Sequence, residues 1–201
     1  MKKQVKMIIS GGARGCDSIF NIIGEERKVN VFNISFESHK MGTTLGKRVN
    51  VPDEILMSKI EELDKICFNL HRKMTHIPYV KKLLLRDFFQ VKGLKGNVTD
   101  LVIAGAYIQQ NGYSVDGGTA YALEYAKTLK VNIILYNLSD DKFYAYSYKK
   151  REYIRITEDI LLKIKKILPD NFILTGIGSR DVYDCDLVKK EFNKMLNYLL
   201  K

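Results

Sequence analysis

Short apolar runs and amphipathic stripes alternate along the whole of this chain, and that alternation limits its fold more sharply than any other feature. The first unit shows the pattern. Val5, Met7, Ile8 and Ile9 mark a strand over 4–9 that stops at Ser10-Gly11-Gly12-Ala13-Arg14-Gly15, and Cys16-Asp17-Ser18 then opens a helix. A second strand is expected over 29–36, followed by a loop over 37–51. From Pro52, the residues Leu56, Ile60, Leu63, Cys67, Leu70 and Met74 recur at spacings of four and three, the stripe of a helix of about six turns with one buried face. A further helix follows Pro78, with Val80, Leu84, Phe88 and Val91 on one side and Tyr79, Leu83, Arg86 and Gln90 on the other. Beyond it come a strand at 101–104, a polar turn at 111–118, a helix at 119–129, a strand at 131–138 and an edge strand at 143–148. A helix at 157–168, a strand at 172–175 running into Gly176-Ile177-Gly178-Ser179-Arg180, and a terminal helix through Val188, Phe192, Met195, Leu196 and Leu199 complete the chain. Strands joined through helices in this order predict a single α/β domain over 1–201, with a mostly parallel sheet and helices on both faces.

Composition narrows the class further. A chain of 201 residues that is 46% hydrophobic and 28% charged has the balance of a globular protein and excludes disorder. No apolar run approaches the roughly 18 residues of a spanning helix, and the start is too short in apolar residues for a signal peptide, so a cytoplasmic protein with no membrane partner is expected. Cys16, Cys67 and Cys185 are scattered and odd in number, which indicates thiols. No His, Cys and carboxylate cluster has ligand spacing, so no metal and no cofactor are expected. A net charge of +10 points to an anionic partner. The lysines lie scattered, as at Lys47, Lys149 and Lys189, which favours a small phosphorylated ligand over single-stranded nucleic acid.

Ligands of an open parallel sheet bind beyond the carboxyl ends of its strands, where three glycine-bearing turns fall: 10–18, 116–119 and 176–180. Glycine lets a backbone come close to a ligand, and the first N–H groups of the following helix favour negative charge. The first turn lacks both the G-x-G-x-x-G of a dinucleotide site and the Lys-Ser/Thr of a P-loop, which disfavours hydride transfer and NTP hydrolysis. The expected ligand contacts are Ser10, Gly11, Gly12, Arg14, Gly15, Asp17 and Ser18, then Arg86 and Gln90, Gly117, Gly118 and Thr119, and Gly176, Gly178, Ser179 and Arg180. Each has an ordinary structural alternative: Asp17 and Thr119 as helix caps, Arg86 with Gln90 as a solvated helix face, the glycines as turn formers. His39 stands where a histidine touches a phosphate or acts as an acid or base, or is simply solvated. Cys16 at a helix N-terminus carries the expectation of a lowered thiol pKa, with no base in evidence.

The segment Ile9-Ser10-Gly11-Gly12-Ala13-Arg14-Gly15-Cys16-Asp17-Ser18, with Val115-Asp116-Gly117-Gly118-Thr119-Ala120, resembles the SLOG superfamily. This group includes the Lonely Guy phosphoribohydrolases, the DNA processing protein A family and nucleotide-sensing domains of bacterial conflict systems. The chain is also similar to phage and bacterial sequences with the pattern SGGARGADS, RN-x-x-Q-V and GGTG, the middle element standing here as Arg86-Asp87-Phe88-Phe89-Gln90-Val91. The resemblance implies a Rossmann-like fold that binds a nucleotide-derived ligand, such as an ADP-ribose derivative or a cyclic nucleotide. The phosphoribohydrolases carry a glutamate three residues after the threonine of their P-G-G-x-G-T-x-x-E motif. Here that position is Ala122, and Glu124, two residues further, points to another face of the helix. Binding without cleavage is therefore expected, in its sharper form a phage sponge that sequesters an immune signalling nucleotide. The alternative is an enzyme cleaving an N-glycosidic or phosphodiester bond, with Glu124, His39 or Asp116 as the acid-base group. The Tyr79 and Leu83 face and the terminal helix suggest a homo-oligomer.

Overall fold

The computed structural model describes residues 3–201, and its frame is one eight-stranded sheet. The N-terminal unit runs β1 (Gln4–Ser10), α1 (Cys16–Glu26), β2 (Val31–Ser35) and β3 (Lys47–Asn50). Three helices follow, α2 (Asp53–Met57), α3 (Ile60–Asn69) and α4 (Pro78–Lys92), leading to β4 (Leu101–Ala106), α5 (Thr119–Thr128) and β5 (Asn132–Asn137). The chain ends with β6 (Lys142–Ser147), β7 (Glu152–Arg155), α6 (Glu158–Ile167), β8 (Asn171–Gly178) and α7 (Cys185–Leu200). Strand order is β3-β2-β1-β8-β4-β5-β6-β7. All pairings from β3 to β5 are parallel, and β6 and β7 add an antiparallel edge.

The strands all stay parallel across β8, but the sense in which the chain lays down successive strands reverses there. From β1 the chain steps one way through α1 to β2, and from β4 it steps the other way through α5 to β5. Right-handed crossovers moving in opposite directions must put their helices on opposite faces. Accordingly α1, α6 and α7 bury Phe20, Ile164, Phe192 and Leu196 against Ile8, Ile103, Ile134 and Leu174. The other face packs Leu56, Leu63, Leu85, Phe88 and Leu123 of α2 to α5 against Ile9, Val102 and Leu135. Neighbouring residues of one strand thus enter different cores, which is why the central strands read as unbroken apolar runs. The terminal helix spends Val188, Phe192, Met195, Leu196 and Leu199 inside its own core, leaving none of that stripe for self-association.

Three elements differ from the sequence reading. The six-turn helix is two helices, because the chain turns at Ser58 and Lys59 while keeping the four-and-three spacing of its buried residues, and α3 ends where His71 adopts a φ of 53°. Within the expected loop over 37–51 lies β3, whose sequence Lys-Arg-Val-Asn has no apolar alternation because it is an exposed edge; charge on an edge strand discourages further pairing. The short strand β7 pairs outside β6, so the edge strand expected over 143–148 lies inside the sheet with β7 as its edge. No helix among the described residues is long and apolar enough to cross a membrane.

Candidate functional site

At the carboxyl end of β1 the backbone leaves the sheet through Gly11 and Gly12 and enters α1 at Gly15, with φ of 65° at Gly12 and 77° at Gly15. Both hydroxyls of this turn serve the turn itself: Ser10 Oγ donates to the carbonyl of Asp17 at 3.3 Å, and Ser18 Oγ to that of Ala13 at 2.6 Å. Asp17 is 3% exposed, and its carboxylate accepts from Ala13 N–H at 3.3 Å and from Gly178 N–H at 3.2 Å. It therefore ties the first turn to the third. Among the described residues, the N–H groups of Gly11, Gly12 and Gly15 meet no acceptor, although Gly11 and Gly12 are buried. Buried backbone donors without partners are rare in folded proteins, and a run of them ahead of a helix is the arrangement that takes an anion.

Beneath this turn lies α4. Arg86 donates from Nη1 to the carbonyl of Gly11 at 2.7 Å, and from Nη2 and Nε to Asp87 Oδ1 at 2.7 and 3.2 Å. Gln90 Nε2 adds a third donor to the same oxygen at 2.9 Å. The Gln90 amide oxygen is buried with no partner. A methyl group on Gly11 would come 2.4 Å from Arg86 Nη1 and 2.6 Å from Asp17 Oδ2, so only glycine leaves room under the backbone for both the guanidinium and the carboxylate. Burial pushes the Asp17 carboxyl up to about 6 and the nearby Asp87 adds to this, against the pull of Arg86 and two N–H groups. Burial also raises Asp87, in spite of Arg86. The solvated-face alternative for Arg86 and Gln90 is excluded: from Leu84 to Val91 every residue of α4 is buried. Asp87 is the site residue that sequence reading missed, and its place between Arg86 and Gln90 was the available signal.

His39 is not solvated. It is 5% exposed, its Nδ1 is 3.0 Å from Ser35 Oγ, and its ring stacks on Phe36 at 5.2 Å between centroids. Burial, followed by the charges of Arg86, Arg48 and Arg180, pushes its pKa down to about 4. Three guanidiniums, one on β3, one on α4 and one in the turn after β8, thus act on one neutral imidazole. The loop carrying it also leans on the first turn, Gly42 N–H donating to the Gly12 carbonyl at 2.7 Å.

The third turn is a brace. Gly178 and Ser179 N–H donate to Asp17 and to the Gly105 carbonyl, and a methyl on Gly176 would lie 2.1 Å from the Phe20 ring. Ser179 Oγ pairs with the backbone of Asp181, which leaves the exposed Arg180 side chain as this turn's contribution to the positive field. Arg14 is exposed as well. At the second turn the carbonyls of Val115 and Gly117 accept from Arg72 at 3.1 and 2.7 Å, while a methyl on Gly117 would meet nothing within 4 Å. Gly118 precedes α5, and Thr119 is buried in its first turn. Asp116 is exposed and accepts from Gln109. Glu124 is largely buried on α5, 3.2 Å from Lys127 Nζ and 3.4 Å from Asn69 Nδ2 of α3, and is engaged with these partners. Two surface hollows, about 420 Å³ beside Ile60 and Met74 and about 180 Å³ beside Val29 and Lys47, carry no comparable set of converging groups.

The Cys16 thiol behaves opposite to expectation. It is fully buried, donates to the Gly105 carbonyl at 3.6 Å, and burial pushes its pKa up, because the helix N-terminus cannot offset the loss of water. Cys67 is buried too, and Cys185 is exposed. In the folded protein one equivalent of thiol, at Cys185, should react quickly with an aromatic disulfide reagent, and a C185S variant should show none until denaturant is added.

No protein-family model and no curated protein matches the chain. Among solved structures it is similar to one from Syntrophus aciditrophicus SB described as a "Putative molybdenum carrier protein", with a TM-score of 0.51 at 14% identity, covering 100% of this chain and 98% of that one. At that identity the likeness is one of fold, and it extends over both chains from end to end. The eight-stranded sheet with helices on both faces and this likeness together make the chain a Rossmann-like α/β protein.

Proposed function

We propose that this chain binds a phosphate-bearing, nucleotide-derived small molecule above the carboxyl ends of β1 and β8 and holds it without cleaving it. The observation that carries the reading is the pair of unpartnered N–H groups on the buried Gly11 and Gly12, beside the Arg86 guanidinium that holds the Gly11 carbonyl. Backbone amides and guanidiniums suit phosphate oxygens. The unpaired amide oxygen of Gln90 and the buried Asp87 carboxylate are acceptors in the same cluster, which suits a ligand that brings hydroxyl or amino donors as well as negative charge. Retention rather than cleavage is supported by Glu124 being engaged with Lys127 and Asn69, and by His39 being kept neutral with its Nδ1 beside Ser35. The resemblance of the first and second turns to the SLOG superfamily accords with this ligand class, and sequestration of a signalling nucleotide is the biological use such a protein would serve.

A thermal-shift panel of AMP, ADP-ribose, NAD, cyclic ADP-ribose isomers and cyclic dinucleotides tests the reading. Molybdate belongs in the same panel because the structurally similar protein is named for molybdenum. A ligand at one hundred times its Kd adds about 2.7 kcal/mol of stability. A stabilising nucleotide recovered intact by chromatography after denaturation is the expected result. A nucleotide recovered as product would make the protein an enzyme, and no shift with any nucleotide would remove the proposal and turn attention to single-stranded nucleic acid.

A further inference from the structure

The first turn already contains an anion of its own. Asp17 is buried under Gly11, and its carboxylate engages the N–H of Ala13 and of Gly178 beside the unpartnered amides. An incoming phosphate would therefore place a second negative charge near a buried carboxylate. Arg86 is the nearest compensating charge, but it already faces Asp87 through two nitrogens and the Gly11 carbonyl through a third. Two anions held close together in a low-dielectric site cannot both remain ionised when the cation between them is shared; the weaker acid takes a proton.

We propose that the site takes up its anion together with a proton, and that the proton goes to Asp17. This rests on the anion-binding reading above and adds its pH control. The proton comes from solvent and converts the carboxylate into a carboxyl. The new O–H requires an acceptor, and the bound anion supplies one in the place where two ionised groups would repel. Burial has already brought the carboxylate close to this change, since it pushes Asp17 up to about 6. The other charged groups around it act in stated directions. Arg86 on α4 opposes protonation, while Asp87 on the same helix favours it. His39, on the loop after β2, faces Arg86, Arg48 of β3 and Arg180 after β8, and it stays neutral until about pH 4. Above pH 6 it contributes little.

Sulfate is a suitable probe because it does not titrate in this range. Its affinity can be read from the amide shifts of Gly11 and Gly12, while the carboxyl carbon of Asp17 reports its own protonation. In the native protein the affinity for sulfate should fall about tenfold from pH 6 to pH 8, and saturating sulfate should move the Asp17 midpoint from about 6 to above 7. An Asp17→Asn variant, which mimics the neutral carboxyl, should bind with less than a twofold change over the same interval. The carbon titration stands in its place should that variant fail to fold. Sulfate that moves both amides with equal affinity at pH 6 and pH 8 would overturn the proton uptake and leave the binding site standing. Sulfate that moves neither amide at either pH would overturn both.

Discussion

An Arg86→Ala variant should lose about 3–5 kcal/mol of stability and all measurable anion affinity. Among the described residues the guanidinium is the one cation in direct contact with the buried Asp87 carboxylate, and it holds the Gly11 carbonyl as well. Removing it leaves two buried carboxylates, Asp17 and Asp87, without their nearest cation, and breaking a buried pair from one side costs roughly that amount. Burial already raises both carboxyls in the presence of Arg86. In the variant both should rise further, so the loss is greater at pH 8 than at pH 5. A carboxyl whose folded pKa lies above its unfolded value makes the native state bind more protons than the unfolded state between the two values, and stability then falls as pH rises through that window. Urea denaturation at the two pH values measures it. The double variant R86A/D87A should be less destabilised than R86A, since it removes the stranded charge together with its partner. A single variant within about 1 kcal/mol of the native protein would mean that water reaches Asp87 freely and that the cluster is not a buried one.

The second large effect belongs to a glycine. In a Gly15→Ala variant the new methyl would lie 2.2 Å from the Ser179 carbonyl oxygen and 2.7 Å from that of Arg180, at a backbone φ of 77°. Both obstacles are backbone, so the first and third turns would have to separate, breaking the bond from Cys16 N–H to the Ser179 carbonyl at 3.1 Å and pulling Gly178 from Asp17. A loss of about 3 kcal/mol or more is expected, with anion affinity lost alongside, because strain and a broken contact add. Gly117→Ala is the control. It has nearly the same φ, 69°, but open space around it, so only the left-handed penalty of about 1 kcal/mol applies. Equal losses in the two variants would show that backbone conformation, and not the approach of the two turns, makes Gly15 necessary.

The contrast between these glycines shows where sequence reading stops. The three glycine segments look alike in the sequence, but only the first is a short turn between a strand and its helix: Gly117 and Gly118 follow β4 by more than ten residues, and Gly176 and Gly178 lie within β8. Local sequence cannot distinguish a glycine that makes room for a ligand from one that makes room for another part of the chain. Gly176 accommodates Phe20, and Gly15 accommodates the Ser179 carbonyl, contacts between residues some 160 positions apart. Arg86 and Gln90 pose the same problem on a helix. Their i, i+4 spacing places them on one face, but their burial depends on the first turn crossing over that face, and the role of Asp87 depends on both neighbours being buried with it. His39 was legible only as a loop residue past β2, because the β3 strand that folds its loop against Arg86 leaves no periodicity in the sequence.

Local regularities alone determined the α/β architecture with its mostly parallel sheet. Apolar runs of strand length, separated by helical stripes and glycine turns, leave a right-handed parallel sheet as the low-cost way to bury both faces, and this holds whatever the loops do. The tertiary structure decided which charges meet. Insertion of β8 between β1 and β4 brings Gly178 to Asp17 and Arg180 to the field around His39, so basic residues scattered along the chain come to act on the same buried groups. Electrostatic energy depends on distance and on exclusion of water, and neither quantity is written into the order of residues along the chain.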